Sequence, residues 1–95
     1  MVRVEIRPDH IRVTGHAITG APPGMNVICA AVSAITLTLI RGLEDVAEEM
    51  FSSTVESGNV CINWQRLSDR GNLLVDTWFL GICGIREAYG HIEYE

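Results

Sequence analysis

Asn26-Val27-Ile28-Cys29-Ala30-Ala31-Val32-Ser33-Ala34-Ile35-Thr36-Leu37-Thr38-Leu39 is the stretch on which the fold turns. Ile28, Ala31, Val32, Ile35 and Leu39 recur at steps of three and four, which gathers apolar side chains on one face of a helix. Asn26, whose side chain accepts an amide hydrogen bond well at a helix start, is expected to cap it. A helix from about Val27 to Leu43 follows. No residue from Ala17 to Ile40 is charged. Gly20, Pro22, Pro23 and Gly24 interrupt that run, so it reads as a loop and then a buried helix rather than as a span of a ~30 Å hydrocarbon core.

Before the helix, Val2, Val4 and Ile6 alternate with charged neighbours, Arg7-Pro8-Asp9-His10 has turn chemistry, and Ile11 to Thr14 resume as a second strand. Gly15-His16-Ala17 closes that strand. Ile18 to Met25 form a Gly/Pro loop, with Gly20 and Gly24 free to bend, that is expected to gate the site. After the helix the pattern turns strand-like by Val55, and Ser57-Gly58-Asn59 is a turn signal before Val60-Cys61-Ile62-Asn63-Trp64. Ser68-Asp69 opens a second helix by capping and by placing negative charge at its positive end, with Leu74, Thr77, Trp78, Gly81 and Ile85 at helical spacing. Tyr89 to Tyr94 reads as a last short strand. The order β-β-α-β-β-α-β predicts an α+β fold: two helices packed on one face of a mostly antiparallel sheet of about five strands.

The 95 residues suffice for one domain, spanning 1–95, and 47% apolar with 20% charged residues excludes a disordered chain. A net charge of −5 offers no basic field for nucleic acid or for an anionic membrane, and any charge-steered partner is basic. Cys29, Cys61 and Cys83 are odd in number and without a CxxC pair, which argues against a disulfide framework or a zinc knuckle. His10 and His91 stand near no cysteine or carboxylate at metal-ligand spacing, so neither a metal nor another cofactor is expected. The start alternates like a strand and carries no export signal, so the expected location is the cytoplasm.

Cys29 sits near the start of the first helix, where unpaired N–H groups and the helix dipole favour a thiolate. His16 ends the strand that leads toward it, which makes the pair a candidate nucleophile and base. The plainer alternatives are a small buried thiol and a strand-end histidine bonded to a carbonyl. Ser33, one turn beyond Cys29, either helps to position a substrate or bonds the carbonyl four residues back. Cys61 and Cys83 are assigned to packing. Trp64, Trp78, Phe79 and Tyr89 are read as core or interface anchors rather than as a cofactor site.

Gly15-His16-Ala17, followed after a glycine-containing loop by Val27-Ile28-Cys29-Ala30-Ala31-Val32-Ser33, resembles the signature of the ribosomal-processing cysteine protease (Prp) family. The likeness runs the length of the chain and includes Gly81, Ile85 and Tyr89. It implies a Cys-His protease, usually dimeric, in which Cys29 is the nucleophile and His16 the base. By the same resemblance Ser33 falls on the family's helix serine. Gly15, Gly24 and Asn26 are further candidates to bind or orient substrate, Asn26 either capping the helix or orienting His16. Family members remove a short N-terminal extension from a ribosomal protein, the twenty-seventh of the large subunit, after an aromatic pair; related proteins occur in phages, where a structural protein is the implied substrate. The sequence departs from the family at Asn26, where an aspartate is usual, and at Pro22-Pro23. The competing reading is a non-catalytic dimeric binding or assembly module that keeps the fold. Thiol-dependent acyl or redox transfer is disfavoured, since no resolving cysteine lies near Cys29 in sequence.

Overall fold

A computed structural model describes residues 1–15 and 25–95. Their order is β1 (Val2–Arg7), β2 (His10–Thr14), α1 (Met25–Asp45), β3 (Ser52–Glu56), β4 (Asn59–Asn63), α2 (Asp69–Tyr89) and β5 (Ile92–Tyr94). The five strands form one sheet in the order β3-β4-β2-β1-β5, antiparallel throughout except that β5 runs parallel to β1. Strand period two does the sorting: Val2, Val4, Ile11, Val13, Val60 and Ile62 are buried in one core with Ile28, Val32, Leu39 and Leu43 of α1 and Trp78 and Ile82 of α2. Arg3, Arg12 and Asn63, at the intervening positions, are exposed. This is the expected α+β arrangement, with both helices on one face.

Three boundaries differ from the sequence reading. α1 begins at Met25 and runs to Asp45, so Asn26 is an exposed residue inside the helix and not its cap. At 21 residues α1 would pass as a membrane span by length and composition, yet Ile28, Val32, Thr36, Leu39 and Leu43 are buried beneath it against the sheet and α2. Tyr89 ends α2 rather than starting β5. Gly90 (φ +73) turns the chain out and its N–H closes on the Arg86 carbonyl at 2.8 Å, a left-handed stop that costs glycine least. Ser68 caps α2 as expected: its Oγ accepts from the Gly71 N–H, while its own N–H and hydroxyl donate to the Glu49 carboxylate. Those bonds hold the Glu49 carboxyl below the usual glutamate range.

The first hairpin is tied down at its turn. Trp64 donates its backbone N–H to the Asp9 carbonyl and its indole N–H to the Pro8 carbonyl, both at 2.9 Å. Beside it the His10 ring bridges Glu5 Oε2 at 2.8 Å and Asp9 Oδ1 at 2.9 Å. The bond to Glu5 and then that to Asp9 raise His10 above its ordinary 6.5. A raised folded value means that His10 stabilises the fold below pH 6.5 and stops doing so as pH rises through that raised value. The urea midpoint is therefore expected to fall across that window in the parent protein and to fall less in His10→Gln; parallel pH profiles would show that the bridge contributes nothing.

Candidate active site

Cys29 is held in the wall between α1 and the end of β2. Its side chain belongs to the core cluster, 7% exposed, and its Sγ lies 3.9 Å from the Gly15 carbonyl oxygen. Because α1 starts at Met25, Cys29 is its fifth residue. It stands just beyond the N-terminal amides that a helix leaves unpaired, instead of among them as the sequence reading had it.

Gly15 is where local sequence makes this geometry. The residue has φ +80, and a Cβ built there would sit 2.5 Å from the Met1 carbonyl oxygen. Any side chain would meet a strained backbone and a steric block together, so only glycine fits. Its N–H donates to the Gly58 carbonyl at 2.9 Å, which fastens the exit of β2 to the β3–β4 turn. The Gly15 carbonyl is the acyl half of the Gly15–His16 peptide bond. His16 and Gly24 lie outside the described residues, as does the expected gate from Ile18 to Met25 except at its last residue, Met25, which is the first of α1 and not part of a loop.

Ser33 is half-buried one turn past Cys29. Among the described residues its hydroxyl makes no bond to the carbonyl four back, whereas Thr38 donates to the Ala34 carbonyl at 2.7 Å. It instead lines a groove of about 330 Å³ with Leu37, Val55, Glu56, Gly58 and Val60. Asn26 is exposed in the first turn of α1. The other two thiols are elsewhere and half-exposed. Cys61 receives the Asn63 side-chain amide at 3.4 Å, at a position between the core-facing Val60 and Ile62, so it lies outside the core to which packing had assigned it. Cys83 lies 3.3 Å from the Tyr94 hydroxyl, and burial followed by this thiol pushes Tyr94 up to about 12. Trp78 is a core anchor as expected, while Tyr89 is 54% exposed.

Sequence reasoning missed the groove residues Leu37 and Val55 and also Asn59. Asn59 pairs with Thr14 across the ladder, and among the described residues no donor reaches its buried Oδ1. The linear pattern marks Asn59 as part of a turn and not as this partner, because its neighbour in space is 45 residues earlier.

A family model described as cysteine protease Prp matches residues 1–92. No curated protein sequence is significantly similar. Among solved structures, a Streptococcus mutans protein superposes with a TM-score of 0.79 at 24% identity, over 99% of this chain and 90% of that one. Two structures of an essential ribosomal processing protease Prp from Staphylococcus aureus, one with a substrate peptide and one with a covalently linked product peptide, each give a TM-score of 0.78 at 18% identity, over 99% of this chain and 97% of that one. At these identities the superpositions establish a shared fold.

Proposed function

This chain belongs to the Prp family of cysteine proteases, and we propose that it cleaves its substrate with Cys29 as nucleophile and His16 as base. The observation that carries the assignment is the Cys29 Sγ resting 3.9 Å from the carbonyl of the Gly15–His16 peptide bond. In this reading His16 takes the thiol proton, Cys29 Sγ adds to the scissile carbonyl, and His16 returns the proton to the leaving amine as the C–N bond breaks. Water then hydrolyses the thioester and frees the thiol. The unpaired amides of the first turn of α1 supply fixed positive partial charge for the oxyanion, and losing one such donor typically costs about 10²–10³ in rate.

The substrate is the N-terminal extension of a ribosomal protein precursor, the twenty-seventh of the large subunit, or a related phage structural protein. The ribosomal processing role of the Staphylococcus aureus protein of the same fold supports this choice. The protein acts as a cytoplasmic homodimer; Leu73 and Leu80 of α2, 65% and 70% exposed, give a second copy apolar surface to cover.

Alkylation tests the nucleophile. Cys61 and Cys83 are more exposed than Cys29, so access alone ranks them as the faster thiols. Iodoacetamide near neutral pH is expected to modify Cys29 first, reversing that order, as peptide mapping would show. Slower labelling of Cys29 than of both others would support the non-catalytic module instead.

A further inference from the structure

We propose that the free edge of β3 and the cleft at its start form a docking site for the C-terminus of another protein, which adds to the sheet as an antiparallel strand and ends with its carboxylate on Arg66 and an apolar last side chain against Trp64 and Phe51. The cleft lies at the far end of the sheet from the thiol. β3 leaves it at Ser52 and reaches its turn at Glu56, and Gly58 of that turn is the residue bonded to Gly15 beside Cys29. The inference therefore stands apart from the catalytic assignment.

Two independent observations carry it, and the first is the edge. β3 has β4 as its one strand neighbour, and counting back from the turn Glu56, Thr54 and Ser52 bond to β4, so Ser53 and Val55 turn their N–H and carbonyl groups outward. All five residues are exposed, and Ser52-Ser53-Thr54-Val55-Glu56 contains neither proline nor lysine, the residues that usually guard such an edge. The second observation is the cleft. Its volume of about 540 Å³ falls within the range of ligand sites, and Met50, Phe51 and Trp64 give it apolar lining. Trp64 donates both of its N–H groups to the Asp9 and Pro8 carbonyls, which fixes the ring and leaves apolar surface as what it offers.

Charge decides the occupant. Arg3, Arg7 and Arg41 pair with carboxylates and Arg70 and Arg86 donate to backbone carbonyls. Arg66 lines the cleft, where among the described residues it has no hydrogen-bond or ion-pair partner and no carboxylate shares the lining. One guanidinium matches one carboxylate through two parallel bonds, whereas the greater charge of a phosphate is opposed by the net −5 of the chain. Direction agrees. A strand antiparallel to β3 runs from Glu56 toward Ser52, so its C-terminal end is the one that arrives at Arg66. A second copy pairing through its own β3 would deliver Glu56, Ser57 and Gly58 to the cleft, with no apolar side chain for Trp64.

The test is fluorescence anisotropy with the full chain and the hexapeptide Lys-Thr-Ser-Thr-Val-Phe, labelled at its N-terminus, as free acid and as C-terminal amide. The acid is expected to bind, and amidation to weaken it about 10–100-fold, as loss of a charge-assisted pair does. Arg66→Gln should bring acid and amide to one weak affinity. Ser53→Pro, a change an edge strand tolerates, and N-methylation of alternate peptide amides should each weaken the acid about 10-fold or more. The methylated peptide tests the edge even if Ser53→Pro does not fold. Cys29→Ala should bind as the parent does, which separates docking from cleavage. Equal affinity for acid and amide, or no binding of either, would overturn the proposal. So would self-association of the chain that Ser53→Pro abolishes and the peptide does not compete with, which would assign the edge to a second copy.

Discussion

Cys29→Ala is expected to lower peptide cleavage by on the order of 10⁴–10⁶, because water cannot replace a positioned thiolate. His16→Ala should show a loss of the same order. The double variant should be no slower than either single one, since nucleophile and base act as a unit and their effects do not add. The fold should survive the cysteine change. Cys29 lies in the core cluster at 7% exposure, so removing its sulfur leaves a small cavity, at a cost of about 0.5–1.5 kcal/mol, comparable to other single-atom deletions. Single-turnover assays on a substrate peptide, paired with urea unfolding, separate the two effects. Cleavage at the parental rate by folded Cys29→Ala would end the assignment. A loss of cleavage in folded Cys61→Ala instead would move it to the wrong-looking thiol on the other side of the sheet.

The largest effect on stability is expected at Trp78. It is 4% exposed between α1 and α2, and its indole N–H donates to the Thr36 hydroxyl at 3.0 Å. Trp78→Ala removes the largest core side chain of α2 and should cost about 3–5 kcal/mol, which approaches the whole stability of a marginal domain. Among the described residues Thr36, 1% exposed, is the buried polar one. Trp78→Phe keeps most of the packing but strips Thr36 of its donor, so its cost should be smaller, about 1–3 kcal/mol. Adding Thr36→Val to Trp78→Phe should recover part of that loss, because replacing both partners by apolar groups avoids the orphaned hydroxyl. Equilibrium urea unfolding of the parent, Trp78→Phe, Thr36→Val and the double variant gives the coupling directly. Additive changes would mean that the bond contributes no more than the separate side chains.

The two helices and the two hairpins were legible in the sequence because their signals are local. Alternation in Val2-Arg3-Val4, helical spacing in Ile28-Val32-Leu39, the turn at Ser57-Gly58 and the Ser68 cap each lie within one element or one turn. The order β-β-α-β-β-α-β and the sidedness of the sheet follow from those periods, since β1, β2 and β4 each bury one apolar face. Gly15, His16 and Cys29 were legible as residue types at a spacing. Asn26 was misread for a local reason as well: a good capping residue does not cap when the helix begins one position earlier.

What the tertiary structure decided involves residues far apart in the chain. The parallel seat of β5 beside β1, the bond from Gly15 to Gly58, the capture of Ser68 by Glu49 and the pairing of Trp78 with Thr36 across 42 residues are closures between segments that share no local pattern. Thr36 looks like a defect in an apolar stripe until α2 supplies its donor. The groove is the same kind of fact: Leu37 and Val55 are ordinary aliphatic residues in their own elements. They become one surface only when β3 takes the sheet edge next to α1, because hydrophobic burial specifies that a face is covered and the packed chain specifies by what.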